Sequence, residues 1–264
     1  MSKGPQQVTI AGVELEFWDS GTGTPILFLH GGDGIEGVEE FVDHLGGQYR
    51  VITPSHPGFG GSSLPDHYSD VSDLGFFYLD LIDHLKLRDI IVVGASFGAW
   101  IAADMATKNT SRIKGLVLAG AVGAKFSDRR TREIRDLFSM PRQDVDQWLV
   151  STPERQQIDR TEWAEETLVR AARNHESFAL FAWSPTLYDP KLKHRLHRID
   201  VPTQVIWGEQ DRVVPVEYGR RIAEGIAQAQ FEVTPGAGHY VHRDDPKRFA
   251  ASIDAFAARL KPTE

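Results

Sequence analysis

The sequence contains no cysteine. Disulfides, thiolate-bound metals and a cysteine nucleophile are therefore excluded, whatever the redox compartment. Positive charge is also scarce: 29 Lys and Arg stand against 37 Asp and Glu, a formal net charge of −8. That balance argues against a surface dedicated to nucleic acid or to an anionic membrane. No stretch approaches the roughly 20 apolar residues that span a bilayer, and the opening "MSKGPQQ" lacks the apolar segment of a secretory signal. The expectation is a cytoplasmic protein acting on a small-molecule substrate, with neither a nucleic acid nor a membrane as partner. Oligomeric state is not encoded in any of these features.

What is present is a chain of 264 residues, enough for one large domain with an insertion. "VTIAGVELEFWDSG" reads as two strands about a glycine turn, and "PILFLHGG" and "YRVITPSHPG" as buried strands running into glycine loops. "DVSDLGFFYLDLIDHLKL" has helical spacing, with Asp70 or Ser72 as N-cap. Further along, "IKGLVLAGA", "PTQVIWGEQD" and "AQFEVTPGAG" read as strands, while "VEYGRRIAEGIAQ" and "DPKRFAASIDAFAARL" read as helices. Alternation of this kind predicts an α/β fold with a mostly parallel sheet and a ligand site beyond the carboxyl ends of the strands. From about Lys125 to Arg195 the alternation stops and the composition turns to charged amphipathic helices with Trp148, Trp163, Phe178, Phe181 and Trp183. The expected division is a core of residues 1–124 and 196–264 with an inserted helical cap of 125–195. The basic runs "DRRTREIRD" and "KLKHRLHR" within it read as solvated helix faces.

"IIVVGASFGAW" places Ser96 between a continuous β-branched run and a helix-compatible segment. Glycines at 94 and 98 remove Cβ atoms from a tight strand-to-helix turn and allow Ser96 an unfavourable backbone conformation with its hydroxyl outward. This is the G-x-S-x-G nucleophile elbow. A serine hydroxyl is a weak nucleophile by itself and needs a base, and the base needs an orienting group. Among ten histidines, His239 is the leading candidate, because "TPGAGHYVH" sets it in a glycine loop after the last strand; His242 is second. His30 and His56 read as braces for glycine loops, and the other histidines as surface or packing residues. "VIWGEQDRVVP" offers Asp211 as the acid, with Glu209 as turn surface. Two backbone donors for an oxyanion are expected from Phe97, which opens the helix after Ser96, and from Gly32 in "LHGGDG". No cofactor and no metal enter this chemistry.

"GDGIEG" at 32–37 formally matches a dinucleotide-binding G-x-G-x-x-G, but the following strand ends "VITPSHPG" without the acidic residue that reading requires. Taken together, "HGG" at 30–32, "HPGFGGS" at 56–62, "GASFG" at 94–98, "GEQDRVVP" at 208–215 and "GAGH" at 236–239 resemble the α/β-hydrolase superfamily in its capped, single-domain branch. The resemblance spans nearly the whole chain. It implies the α/β-hydrolase fold and a triad at the matching positions Ser96, Asp211 and His239. Serine at 96 disfavours the branch members that carry aspartate there, epoxide hydrolases and haloalkane dehalogenases. Carbon–carbon hydrolases similar to this chain usually have an "HGSGPG"-like loop, from which "HGGDGIEG" departs.

The leading expectation is therefore a serine hydrolase forming an acyl-enzyme on Ser96 with small carboxylic esters. Carbon–carbon bond hydrolysis or perhydrolysis by the same triad, and a slow ligand receptor on the same fold, are the alternatives. Candidate pocket residues in the cap are Leu137, Phe138, Met140, Trp148, Phe181 and Trp183, with packing inside the cap as the competing role for each.

Overall fold

The computed structural model describes residues 4–260 apart from 46, 129 and 157. In chain order it has β1 (Gln6–Ile10), β2 (Val13–Ser20), β3 (Thr24–Leu29), α1 (Val38–His44), β4 (Tyr49–Pro54), α2 (Val71–His84), β5 (Ile90–Ala95), α3 (Phe97–Lys108) and β6 (Ile113–Ala119). Then follow α4 (Arg142–Leu149), α5 (Pro153–Gln156), α6 (Glu165–Ala182), β7 (Thr203–Gly208), α7 (Val216–Glu224), β8 (Ala229–Thr234), α8 (Val241–Asp244) and α9 (Pro246–Arg259).

The strands form one sheet in the order β1-β2-β4-β3-β5-β6-β7-β8. From β4 to β8 every pairing is parallel, whereas β1 and β2 are antiparallel. The first two form a hairpin whose tight turn places Ala11 and Gly12 at positive φ, 48° and 81°, as a two-residue turn matching strand twist requires. All six residues of β5 are buried, because helices cover both faces of a parallel sheet. One face packs Leu27, Val92, Leu118 and Trp207 against α2, α3 and α7, and the other packs Phe28, Val93, Val117 and Ile206 against α1 and α9. At the start of α2, Asp70 caps the helix by accepting from the amides of Ser72 and Asp73, and the Asp73 carboxylate accepts from the Asp70 amide.

Helices α4, α5 and α6 lie between β6 and β7 and form the inserted cap. Two expectations change here. The run "DRRTREIRD" forms no helix among its described residues; it is a loop in which Asp128 Oδ1 accepts from the amides of Arg130 and Thr131, and the Glu133 carboxylate reaches back to the amides of Phe126 and Ser127. "KLKHRLHR" makes two short 3-10 turns, Leu192–His194 and Leu196–Arg198, in place of an α-helix. Helix α1 is an addition to the sequence reading, and no helix of the described residues is long and apolar enough to cross a membrane.

Candidate active site

The turn from β5 into α3 places Ser96 at φ 54° and ψ −112°, a strained conformation for a residue with a side chain. Its amide donates to the Ala119 carbonyl at 2.8 Å, which ties the turn to β6. Gly98 explains why the turn tolerates no bulk: a Cβ there would lie 2.0 Å from the Leu29 carbonyl oxygen. The structure therefore puts Ser96 at the carboxyl end of the central strand, 2% exposed.

His239 follows β8, and its Nε2 lies 2.8 Å from Ser96 Oγ. Its Nδ1 lies 2.8 Å from Asp211 Oδ2, at the end of β7, and neither of those two side chains is exposed. The carboxylate can only accept, so Nδ1 carries the proton and Nε2 is left as the acceptor for the serine hydroxyl. Asp211 is itself fixed, since Oδ1 accepts from the amides of Val213 and Val214 at 2.8 and 2.9 Å. Residues 143 and 28 positions apart in sequence thus meet in one line. Glu209, by contrast, accepts from the Gly236 amide at an exposed turn. His242 packs among Phe28, Phe41, Tyr240 and Phe249, and burial lowers its pKa well below the usual value.

The glycine loop after β3 is held by two histidines. His30 Nδ1 donates to the Gly31 carbonyl at 2.7 Å, and its Nε2 accepts from the His56 amide at 3.1 Å. His56 Nε2 donates to the His30 carbonyl at 2.9 Å, leaving Nδ1 to accept from the Tyr78 hydroxyl. The two ring centroids are 3.6 Å apart, with the ring planes tilted by 31°. Burial pushes His30 down to about 4, against a smaller opposing effect of the Gly31 carbonyl, and pushes His56 well below its usual value. Both are neutral at pH 7. Gly31 also accepts from the Gly34 amide at 3.1 Å, and since the peptide is planar and trans, fixing this carbonyl fixes the Gly32 N–H on its opposite edge. Phe97 is the first residue of α3, where an N–H has no acceptor within the helix.

Beside this loop lies a cavity of about 330 Å³ whose wall includes Gly32, Asp33, Leu137, Met140, Trp163 and His175. Leu137 and Met140 are thus on the cavity wall, as is His175, which the sequence reading left as a surface or packing residue. Phe138 and Phe181 sit in an aromatic layer: Phe138 is 4.9 Å from Phe178, and Phe181 is 6.5 Å from Phe97, centroid to centroid. Trp148 stacks with the Arg135 guanidinium, and Trp183 is 61% exposed beside Phe138. The polar wall is an ion network absent from the sequence reading. Asp33 meets Arg142 at 2.7 Å and Arg243 at 3.4 Å, and Asp146 meets Arg142 at 2.9 Å and Arg160 at 2.7 Å. Burial pushes the Asp33 carboxyl up, but Arg142 and Arg243 outweigh it and hold it below the usual range.

Helix α6 is fastened to the core by one face. Arg170 reaches the buried Glu16 on β2 at 2.8 and 2.9 Å, Arg173 donates to the carbonyls of Gly58 and Ser62, and Ser177 donates to Gly58. Spacings of three and four residues put these side chains on a single stripe.

The model of the Alpha/beta hydrolase family matches residues 26–252. The chain belongs to the alpha/beta hydrolase family. Among curated relatives of this hydrolase is the 2-hydroxymuconate semialdehyde hydrolase of Pseudomonas sp. (strain CF600), 27% identical over 96% of this chain and 93% of that protein. The 2-hydroxy-6-oxononadienedioate/2-hydroxy-6-oxononatrienedioate hydrolase of Burkholderia vietnamiensis is 30% identical, over 94% and 92%. Solved structures with the same fold include the meta-cleavage product hydrolase of Pseudomonas fluorescens IP01, with a TM-score of 0.80 at 22% identity over 97% of this chain and 98% of that one. A thermophilic esterase from Thermogutta terrifontis has a TM-score of 0.74 at 24% identity, over 98% and 100%.

Proposed function

We propose that this hydrolase cleaves a carbon–carbon bond next to a ketone in a small conjugated acid of the 2-hydroxy-6-oxo-dienoate class, with Ser96 as nucleophile, His239 as base and Asp211 as orienting acid. The observation that carries the chemistry is the unbroken line Ser96 Oγ, His239 Nε2 and Nδ1, Asp211 Oδ2, with 2.8 Å at each junction. The substrate class is supported by relatives of 27% and 30% identity that span nearly the whole chain. Their similarity supports carbon–carbon cleavage over ester hydrolysis, the leading expectation from the sequence, although "HGGDGIEG" departs from the "HGSGPG"-like loop usual in carbon–carbon hydrolases.

As Ser96 Oγ bonds to the ketone carbon, its proton passes to His239 Nε2, and the carbonyl oxygen becomes an oxyanion facing the N–H groups of Gly32 and Phe97. Collapse of that adduct breaks the bond to the conjugated chain. The leaving pair has somewhere to go only in the keto tautomer of the substrate, reached when the 2-hydroxyl proton moves to C5. The pair on C5 then spreads through the adjacent double bond into the 2-oxo group, and the resulting dienolate oxygen takes the proton back from the imidazolium. Water, deprotonated by the same histidine, then splits the acyl-serine and releases a carboxylic acid. An ester follows the same path with an alkoxide as leaving group, and residues 125–195 act as the cap over either substrate.

The test is turnover of a 2-hydroxy-6-oxo-dienoate, followed as loss of the absorbance of its conjugated enol, beside p-nitrophenyl butyrate. Ser96→Ala is expected to lower the dienoate rate by more than about a thousandfold with the fold intact. Steady ester turnover without dienoate consumption would return the ester reading to first place. Equal rates in wild type and Ser96→Ala would remove the nucleophile.

A further inference from the structure

On the fastening face of α6, between the arginines and Ser177, lies Asn174, 5% exposed. Its Nδ2 donates to the Asp33 carbonyl at 2.9 Å, and its Oδ1 accepts from the Gly60 amide at 2.8 Å. One partner is an acceptor and the other a donor, so a single orientation of the amide satisfies both. The contact is close. Gly34 sits at φ 97°, and a Cβ on it would be 2.4 Å from Asn174 Nδ2.

The bond to Asp33 does more than attach the cap. The Asp33 carbonyl and the Gly34 N–H are opposite edges of one peptide plane, and that N–H donates to the Gly31 carbonyl. The Gly31 carbonyl and the Gly32 N–H are opposite edges of the next hydrogen-bonded plane. A continuous relay therefore runs from Asn174 Nδ2–H to the Asp33–Gly34 peptide, then to the Gly31–Gly32 peptide, and ends on the Gly32 N–H. Each bond in such a chain polarises and orients the next.

We propose that Asn174 is a positioning residue that aims the Gly32 N–H through these two peptide groups, so that stabilisation of the oxyanion depends on a residue carried by the cap. The inference rests on Ser96 as nucleophile and Gly32 as oxyanion donor. Ser177 and Arg173 lie on the same face of the same helix, but they bond to Gly58 and Ser62 and have no link to the relay. That difference separates aiming a donor from fastening a cap.

The experiment is phosphonylation of Ser96 by an alkyl fluorophosphonate, read by intact mass, with the maximal rate kinact separated from the half-saturating concentration KI. The developing phosphoryl oxyanion draws on the same donors, and no assumption about the natural substrate enters. In Asn174→Ala, kinact is expected to fall about 10- to 100-fold, at or below the loss of about 100-fold or more seen when an oxyanion donor is removed or displaced, while KI stays within about threefold. Asn174→Asp keeps the shape and an acceptor for Gly60 but loses the donor to Asp33. It is expected to fall at least as far, and as a near-isosteric change it serves if the alanine variant does not fold. Ser177→Ala is expected to stay within about threefold of wild type in both constants. The proposal is overturned if both Asn174 variants keep kinact within threefold, if Ser177→Ala falls equally, or if KI alone changes. Failure of the wild type to be labelled at Ser96 would overturn the nucleophile reading and this role with it, whereas normal labelling that ignores Asn174 would overturn only the latter.

Discussion

Removing Arg170 tests how the cap is held, and the structure supplies the magnitude. Glu16 is 4% exposed on β2 and accepts from the Arg170 guanidinium, the Ser55 hydroxyl and the Gly61 amide. Burial pushes its carboxyl up, but the bonds from Arg170, Gly61 and Ser55 outweigh that and leave it lowered from 4.5 to about 2. One pKa unit corresponds to about 1.4 kcal/mol, so the bonded carboxylate represents about 3 kcal/mol of pH-linked stability. Because the Arg170 side chain is 37% exposed, solvent screening reduces this to about 2 kcal/mol. The sign is that of a depressed acid: the contribution is present above pH 4.5 and is lost as pH falls towards 2.

Arg170→Met leaves a buried carboxylate with its neutral donors and no cation, and it is expected to cost about 2–3 kcal/mol at pH 7. Glu16→Gln leaves only a half-exposed guanidinium without its partner, which water can solvate, so the cost is about 1 kcal/mol. The double variant should recover at least 1 kcal/mol relative to Arg170→Met, because the stranded charge is gone. Urea unfolding by far-UV circular dichroism at pH 7 reads all four proteins. Arg170→Met within about 0.5 kcal/mol of wild type, a value typical of plain surface changes, would refute the reasoning, as would a double variant no more stable than Arg170→Met.

His30, neutral and held at about 4 in the fold against 6.5 in the free side chain, binds fewer protons when native. Its contribution is complete above pH 6.5 and is lost as pH falls through 4, about 3 kcal/mol in all; urea midpoints between pH 8 and 4 should fall less steeply in His30→Gln, and an unchanged slope would count against the neutral pair. Asp211→Asn should fold, because an amide oxygen can still accept from Val213 and Val214, but its NH2 group would then face His239 and force the wrong tautomer. A loss of about 10⁴-fold in turnover is expected, with Glu209→Gln nearly silent; similar losses in both would refute the assignment. His239→Ala should abolish turnover, whereas His242→Ala should act on stability through its aromatic surroundings, and the reverse pattern would move the base.

The positions of Ser96 at the tight turn, of a carboxylate after the seventh strand and of a histidine after the eighth were legible in the sequence, because each is announced locally. A β-branched run predicts a buried strand, two flanking glycines predict a turn too tight for Cβ atoms, and chain order assigns the partners. The same local signals recovered the alternation of strands and helices and narrowed the cap of α2 to Asp70 or Ser72, of which the structure uses Asp70. They misread "DRRTREIRD", which is a loop whose Asp128 and Glu133 carboxylates accept from nearby backbone amides. The cap interface was beyond them. Helical spacing says that α6 buries one face, but not that Arg170 meets a carboxylate 154 residues earlier or that Asn174 meets a carbonyl 141 residues earlier. A buried polar side chain is specified only by the partner that topology brings to it, and here the fold of β2 and of the loop after β3 supplied that partner.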